Sequence, residues 1–285
     1  MFNNNVSLTS LLTAAARAKE SVSSCALITD PYAEILSGQR GKRMLERAGE
    51  DFIAIVAVRT KYFDNIIENA VWRGISQFII LGSGLGSRPY RLSFLPSSGL
   101  WFEFDYKSVL DYKKRILEAI NSQPFIHIKH IPTDILNVNL TQQLVTNGFD
   151  VKKPTLFIIE GVTYYLTLVQ VDSLFKEIVN AFSTLHTPFE ILFDIPNKEL
   201  LKPNFYTRQI LELLNSLNAP LIFEGIDEPE NFIRNYGFIS KEIVFLGHKK
   251  AHYGRLSFGP YNSLPWGFPT SWFIHCYGNL KIVKQ

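Results

Sequence analysis

The sequence predicts an α/β fold in which helices precede a mostly parallel, doubly wound sheet that closes on an antiparallel pair. Three observations carry that expectation. Apolar residues recur at helical spacing from Ser7 to about Gly74. Short β-rich runs then alternate with helical stretches, as parallel strands with crossover helices require. Near the end, two apolar runs are joined only by a Gly- and Pro-rich loop, which leaves no crossover helix and favours a hairpin.

In the first segment, Asp30-Pro31 and the group from Ser37-Gly38 to Gly41 read as turns between helices. Five runs then read as strands: 78–81, 101–104, 126–131, 155–159 and 190–193. Their nearly unbroken apolar character suits strands covered on both faces. Between them, Ser108 to Ile120 and Val169 to Phe182 read as helices. The closing pair is Glu242 to Leu246 with Ser271 to Tyr277. Five parallel strands and a terminal hairpin describe the Rossmann-like sheet of class I methyltransferases better than a two-half dinucleotide fold. The expected organisation is one domain: a helical extension over 1–74, a core over 75–196, a lid insertion over 197–238 and the hairpin over 239–285. Within the insertion, Leu200 to Leu217 reads as helical, and its position suggests a lid over the sheet edge.

The chain has 285 residues, long enough to bury a core without staples, and is 46% apolar and 19% charged. Its 29 basic and 26 acidic residues leave a net charge of +3. That field is too weak to point to nucleic acid or a membrane surface, and a small molecule or a carrier-bound acceptor is the expected partner. Cys25 and Cys276 are too few and too far apart for a disulfide framework or a zinc cluster. With no leader or long apolar span evident, a reducing cytoplasm is the expected location.

The strongest local signal is Leu81-Gly82-Ser83-Gly84-Leu85-Gly86-Ser87, directly after the first strand run. Glycines there let the backbone turn sharply and lie against a ligand. Because position 87 is Ser, the G-x-G-x-x-G fingerprint is not met, which disfavours a nicotinamide oxidoreductase. The second run ends in Asp105, placed to accept ribose hydroxyls. Asp134 follows the third run and Glu160 the fourth, so carboxylates close three neighbouring strands at the edge where ligands of open α/β sheets bind.

Five ordered motifs then bring a family into view: Thr13 to Ser21 (TAAARAKES), Asp30-Pro31-Tyr32-Ala33, Arg59 to Asp64 (RTKYFD), Ile80 to Leu85 continuing through Tyr90-Arg91-Leu92, and Phe102-Glu103-Phe104-Asp105. In these the chain resembles the leucine carboxyl methyltransferase superfamily, in particular its bacterial branch that includes tetracenomycin-type carboxyl O-methyltransferases. The resemblance covers about Leu8 to Leu166. It implies S-adenosyl-L-methionine as cofactor, with Arg59 on the methionine carboxylate and Lys19 as a helper. It also implies Gly82 and Gly84 along the methionine and ribose, and Asp105 on the ribose hydroxyls. Asp134 and the backbone of Ile135 would meet the adenine, and Glu160 the cofactor amino group. Gly86 departs from the pattern, since relatives usually carry Asp there.

The implied activity is O-methyl transfer to a carboxyl group, with a C-terminal leucine on a protein as a narrower variant. A cofactor-binding protein without catalysis is the rival that Gly86 suggests. No catalytic residue is assigned, but Tyr164 and Tyr165 are candidates for holding an acceptor. The aromatic residues Tyr253, Phe258, Tyr261, Trp266, Phe268 and Trp272 suit either core packing or a ring-bearing acceptor. His248 with His252, and His127 with His130, lack a second ligand cluster, so no metal is expected. Lys113-Lys114-Arg115 reads as a solvated helix face.

Overall fold

Side-chain alternation sets the two faces of the sheet in this computed structural model, which describes residues 7–203 and 207–278. Three helices come first: α1 (Leu8–Ser21), α2 (Ala33–Leu45) and α3 (Glu50–Trp72). The sheet begins with β1 (Gln77–Leu81), α4 (Arg88–Arg91), β2 (Leu100–Asp105), α5 (Lys107–Ala119) and β3 (His127–Pro132). It continues with α6 (Leu140–Thr146), β4 (Thr155–Ile159), α7 (Leu168–Leu185) and β5 (Phe189–Pro196). After β5 come α8 (Arg208–Ser216), α9 (Pro229–Arg234), β6 (Phe238–Phe245) and β7 (Ser271–Gly278).

The strand order is β3-β2-β1-β4-β5-β7-β6, with β7 antiparallel to both β5 and β6 and the other pairs parallel. Every expected strand is present, and the sheet is that of class I methyltransferases. Ile79, Leu81, Phe157, Ile159, Ile191 and Phe193 pack on one face with Phe175, Ile178 and Phe182 of α7. Their neighbours Phe78, Ile80, Leu156, Ile158 and Leu192 pack on the other with Val58, Phe63 and Ile67 of α3. Consecutive apolar residues thus serve both cores, as a strand covered on both faces requires. α7 opens with a reciprocal cap between Thr167 and Gln170.

The turn expected at Ser37-Gly38 is present: Gly38, with φ of +56° and ψ of −171°, breaks the helical path and joins two helical segments within α2. Gly41 is there for close packing, because a Cβ would lie 2.7 Å from the Leu11 carbonyl oxygen of α1. Two other expectations are corrected. The helix expected over 200–217 begins only at Arg208, and residues 204–206 lie outside the described residues. Finally, Lys113 is fully buried and does not belong to a solvated face. Its ammonium lies 2.7 Å from Glu103 on β2. A helix-face reading misses this because it cannot see the charge waiting on the neighbouring strand.

At the amino end of β5, Glu190 gathers Arg73 (2.6 Å), Lys241 (2.9 Å) and His275 (2.7 Å). Burial opposes its ionisation, yet the hydrogen bonds and charges of His275 and Lys241 hold the carboxyl down at about 2. Its contribution to stability is therefore present above the ordinary value of 4.5 and is lost as pH falls toward about 2. Glu190→Gln should cost about 1–2 kcal/mol at pH 7 and clearly less at pH 3, measured by urea unfolding. An equal cost at both pH values would show that the ionised carboxylate contributes nothing.

Candidate active site

The strand order reverses between β1 and β4, and ligands of open α/β sheets bind in the crevice beyond such a point. The glycine turn leaves β1 at that edge. Gly82 has φ of +69°, and a Cβ there would lie 2.5 Å from Val162 Cγ2, so both backbone and space demand glycine. At Gly84 a Cβ would come within 3.1 Å of Ser10 Oγ on α1. The turn thus presents bare backbone. Asp105, at the end of β2, accepts from the Gly84 and Tyr106 amides, each at 2.7 Å. Burial pushes its carboxyl pKa up despite those two donors. Each oxygen keeps a further lone pair for a ligand hydroxyl.

Around the turn, charges alternate without a break. Asp30 pairs with Arg17 at 2.9 Å and Asp64 with Arg91 at 2.7 Å. Arg88 joins Asp64 at 2.6 Å to Glu160. Arg59 lies 3.3 Å from both Glu160 and Asp194. Burial opposes ionisation of Glu160, but Arg88 and Arg59 hold its carboxyl below the usual range. Asp194 goes the other way: burial outweighs Arg59 and raises it. The Tyr164 hydroxyl donates to Asp194 at 2.9 Å and lies 2.8 Å from Ser271 Oγ. Burial raises the Tyr164 hydroxyl well above an ordinary phenol, so it stays protonated at neutral pH.

These groups surround a cavity of about 210 Å³. Its inner end is formed by Thr9, Ser10, Thr13 and Arg17 of α1, the turn from Gly82 to Arg88, and Arg59 with Glu160. Several buried polar atoms there make no hydrogen bond, among them Arg88 Nη2, Ser83 Oγ and Arg59 Nε, the last held only by its 3.3 Å ion pair with Glu160. A buried donor without a partner is costly, and guanidinium groups lining a glycine-walled cavity match a carboxylate ligand. A glycine cradle, strand-end carboxylates and buried guanidinium groups together fit an amino-acid-bearing nucleoside such as S-adenosyl-L-methionine.

Of the residues singled out from the sequence, Arg59, Gly82, Gly84, Glu160, Tyr164 and Tyr165 line this cavity. Asp105 lies directly behind the turn. Asp134 sits farther along the same edge, where it accepts from the Leu136 amide at 3.1 Å, and Ile135 packs against the core. Lys19 is exposed on α1 and does not line the cavity. None of the tail aromatics from Tyr253 to Trp272 lines it either, and Trp266 is fully exposed.

The sequence reading passes over Arg17, Asp64, Arg88, Arg91 and Asp194. A signal for most of them exists: Arg17, Asp64 and Arg91 lie within the quoted motifs, and Arg88 immediately follows the glycine turn. Asp194 obeys the same rule as Asp105, a carboxylate near the carboxyl end of a core strand.

The leucine carboxyl methyltransferase family model matches residues 10–179. A protein of Mycolicibacterium paratuberculosis, provisionally named an S-adenosyl-L-methionine-dependent methyltransferase, is 35% identical over 188 residues, covering 61% of this chain and 62% of that protein. The match thus spans less than two thirds of that relative's length. Among solved structures, a DUF574 family protein from Streptomyces avermitilis MA-4680 shares the fold with a TM-score of 0.60 at 13% identity, covering 94% of this chain and 97% of its own. The magnesium protoporphyrin IX methyltransferase of Synechocystis PCC 6803, solved with bound SAH, has a TM-score of 0.50 at 11% identity, covering 84% and 93%. With its motifs in order, its sheet wound in this sequence and the family match running from α1 into α7, the chain belongs to the leucine carboxyl methyltransferase family.

Proposed function

We propose that the chain is an S-adenosyl-L-methionine-dependent O-methyltransferase whose acceptor is the carboxyl group of a small metabolite or carrier-bound intermediate. The observation that carries this reading is that the buried guanidinium groups of Arg59 and Arg88, the latter with its Nη2 unpaired, line the same cavity as a turn that admits no side chain at Gly82. When bound, S-adenosyl-L-methionine supplies a methyl group activated on a sulfonium sulfur. Arg59, with Arg88 beside it, holds the methionine carboxylate. Glu160 takes the amino group, Asp105 accepts the ribose hydroxyls, and Asp134 with the Ile135 backbone meets the adenine.

A carboxylate acceptor is already ionised at neutral pH, so no base has to remove a proton. The cavity wall agrees with that economy. Among its described residues there is no histidine or cysteine, and its one acid, Glu160, is engaged by Arg59 and Arg88. Burial raises both phenols, so Tyr164 and Tyr165 remain protonated. The Tyr164 hydroxyl donates to Asp194, which leaves Tyr165 as the phenol that can orient an acceptor oxygen by donation. The chain's task is then alignment and exclusion of water, from which most of the rate gain comes. The residues between β5 and β6 contribute Leu200, Leu211 and Leu214 to the wall, which supports their reading as a cover over the site.

Calorimetric titration with S-adenosylhomocysteine tests this. The parent should bind at micromolar strength and Arg59→Ala at least tenfold more weakly, about 1.4 kcal/mol. Failure of the folded parent to bind would overturn the reading.

A further inference from the structure

The cavity changes character along its length. Its inner end holds all the cavity-lining guanidinium groups, from Arg17, Arg59, Arg88 and Arg91. Along α3 the lining runs from Arg59 back through Val56 and Ile55 to Phe52, and α8 lies at the Phe52 end, where Gln209 donates to the Arg47 carbonyl at 3.1 Å. This outer part of the wall is apolar, with Ile210, Leu211 and Leu214 of α8 and Leu221 after it. Spacing by three and four residues puts the α8 residues on one face. The charged or polar residues Arg208, Gln209, Glu212 and Asn215 are exposed. Leu214 is buried, whereas Ile210 and Leu211 are only half-buried, so apolar surface is left facing the space.

We infer that the acceptor is a monocarboxylic acid with an extended apolar body, held with its carboxylate beside Tyr164 and Tyr165 and its body along the face of α8 formed by Ile210, Leu211 and Leu214. This rests on the methyltransferase reading above and deepens it. A second carboxylate or a polyhydroxylated body at the outer end would be desolvated with no described cation or donor of the wall to receive it, which is costly. An aliphatic or fused-ring body gains from the same wall in proportion to the area it removes from water. Methylation also neutralises the acceptor's charge, so the product is an uncharged ester.

The test is calorimetric titration of straight-chain monocarboxylates from butanoate to decanoate, and of decanedioate, into the protein saturated with S-adenosylhomocysteine. Affinity should rise by up to about fourfold per added methylene, and decanoate should bind at least tenfold more tightly than decanedioate. Ile210→Trp should shorten the site, weakening decanoate at least tenfold while leaving butanoate within twofold. Leu211→Asn should flatten the chain-length dependence, with S-adenosylhomocysteine titration of the same variant confirming that the fold persists. Equal affinity across the series, diacid binding as tight as monoacid binding, or no acid binding to a protein that does bind S-adenosylhomocysteine would each overturn this inference alone. Loss of S-adenosylhomocysteine binding by the parent would instead remove the reading on which it rests, and this inference with it.

Discussion

Lys113→Met is expected to lower the free energy of unfolding by about 3–5 kcal/mol, because it strips a fully buried carboxylate of its main counter-charge. Lys113 and Glu103 are both buried, 2.7 Å apart, and among the described residues the only further ion-pair partner of Glu103 is His130 at 3.2 Å. Burial opposes ionisation of Glu103, and Lys113 ahead of His130 keeps its carboxyl below the ordinary range. Removing both charges should behave differently. Glu103→Leu combined with Lys113→Met leaves no orphaned ion, so urea unfolding should return to within about 1 kcal/mol of the parent.

The double variant also separates stability from function. Lys113 donates to the Gly86 carbonyl at 3.3 Å, and that bond holds the far side of the glycine turn. Position 86 has no carboxylate of its own here, and the buried ammonium joins Arg17, which donates to the Leu85 carbonyl at 2.7 Å, in holding this part of the turn. The repaired variant should still bind S-adenosylhomocysteine severalfold more weakly than the parent. If it unfolds as readily as Lys113→Met, the pair is not coupled as its geometry indicates. If it binds as tightly as the parent, Lys113 does not position the turn.

Gly82→Ala should weaken S-adenosylhomocysteine binding at least a hundredfold, about 2.7 kcal/mol. Two penalties combine. A side chain at φ of +69° costs about 1–2 kcal/mol, and the new methyl would lie 2.5 Å from Val162 Cγ2. Valine is stiff at its branch point, so the turn itself has to move. Adding Val162→Ala removes the collision and leaves the backbone strain, so it should restore part of the affinity and not all of it. Calorimetry on the three variants, with circular dichroism to confirm folding, reads this directly. Binding by Gly82→Ala within threefold of the parent would show that the bare backbone of the turn is not needed.

Much of the molecule was legible in advance because its signals are local and repeated. Strand runs such as 155–159 are apolar at every position, and only a strand covered on both faces tolerates that pattern. The long Gly- and Pro-rich connection before Ser271 left no room for a crossover helix and so predicted the antiparallel pairing found between β6 and β7. Asp105 and Glu160 were readable for a related reason, since strand ends in a parallel sheet all open on one edge. Lys113 was misread because burial of a charge depends on its partner. Periodicity on α5 reports the faces of that helix and nothing of Glu103 on β2. The helix expected from Leu200 was extended too far because leucines at helical spacing continue past its true start at Arg208.

The sequence by itself determined the order of elements, the strand runs, the place of the glycine turn and, through the resemblance of its ordered motifs, the family. The first three follow from short-range chemistry: apolar runs that suit strands covered on both faces, bare backbone where a turn must be tight, and carboxylates at strand ends. The tertiary structure alone decided which charges meet. Arg17, Arg59, Arg88 and Arg91 come from α1, α3 and α4, and they find Asp30, Asp64, Glu160 and Asp194 across gaps of 13 to 135 residues. Only packing brings such groups within reach. It also decided that the cavity is polar at one end and aliphatic at the other, because α8, remote in sequence from the glycine turn, completes the wall that α1 and α3 begin. Coulombic pairing and desolvation act through space, and a chain read one residue at a time carries no distances.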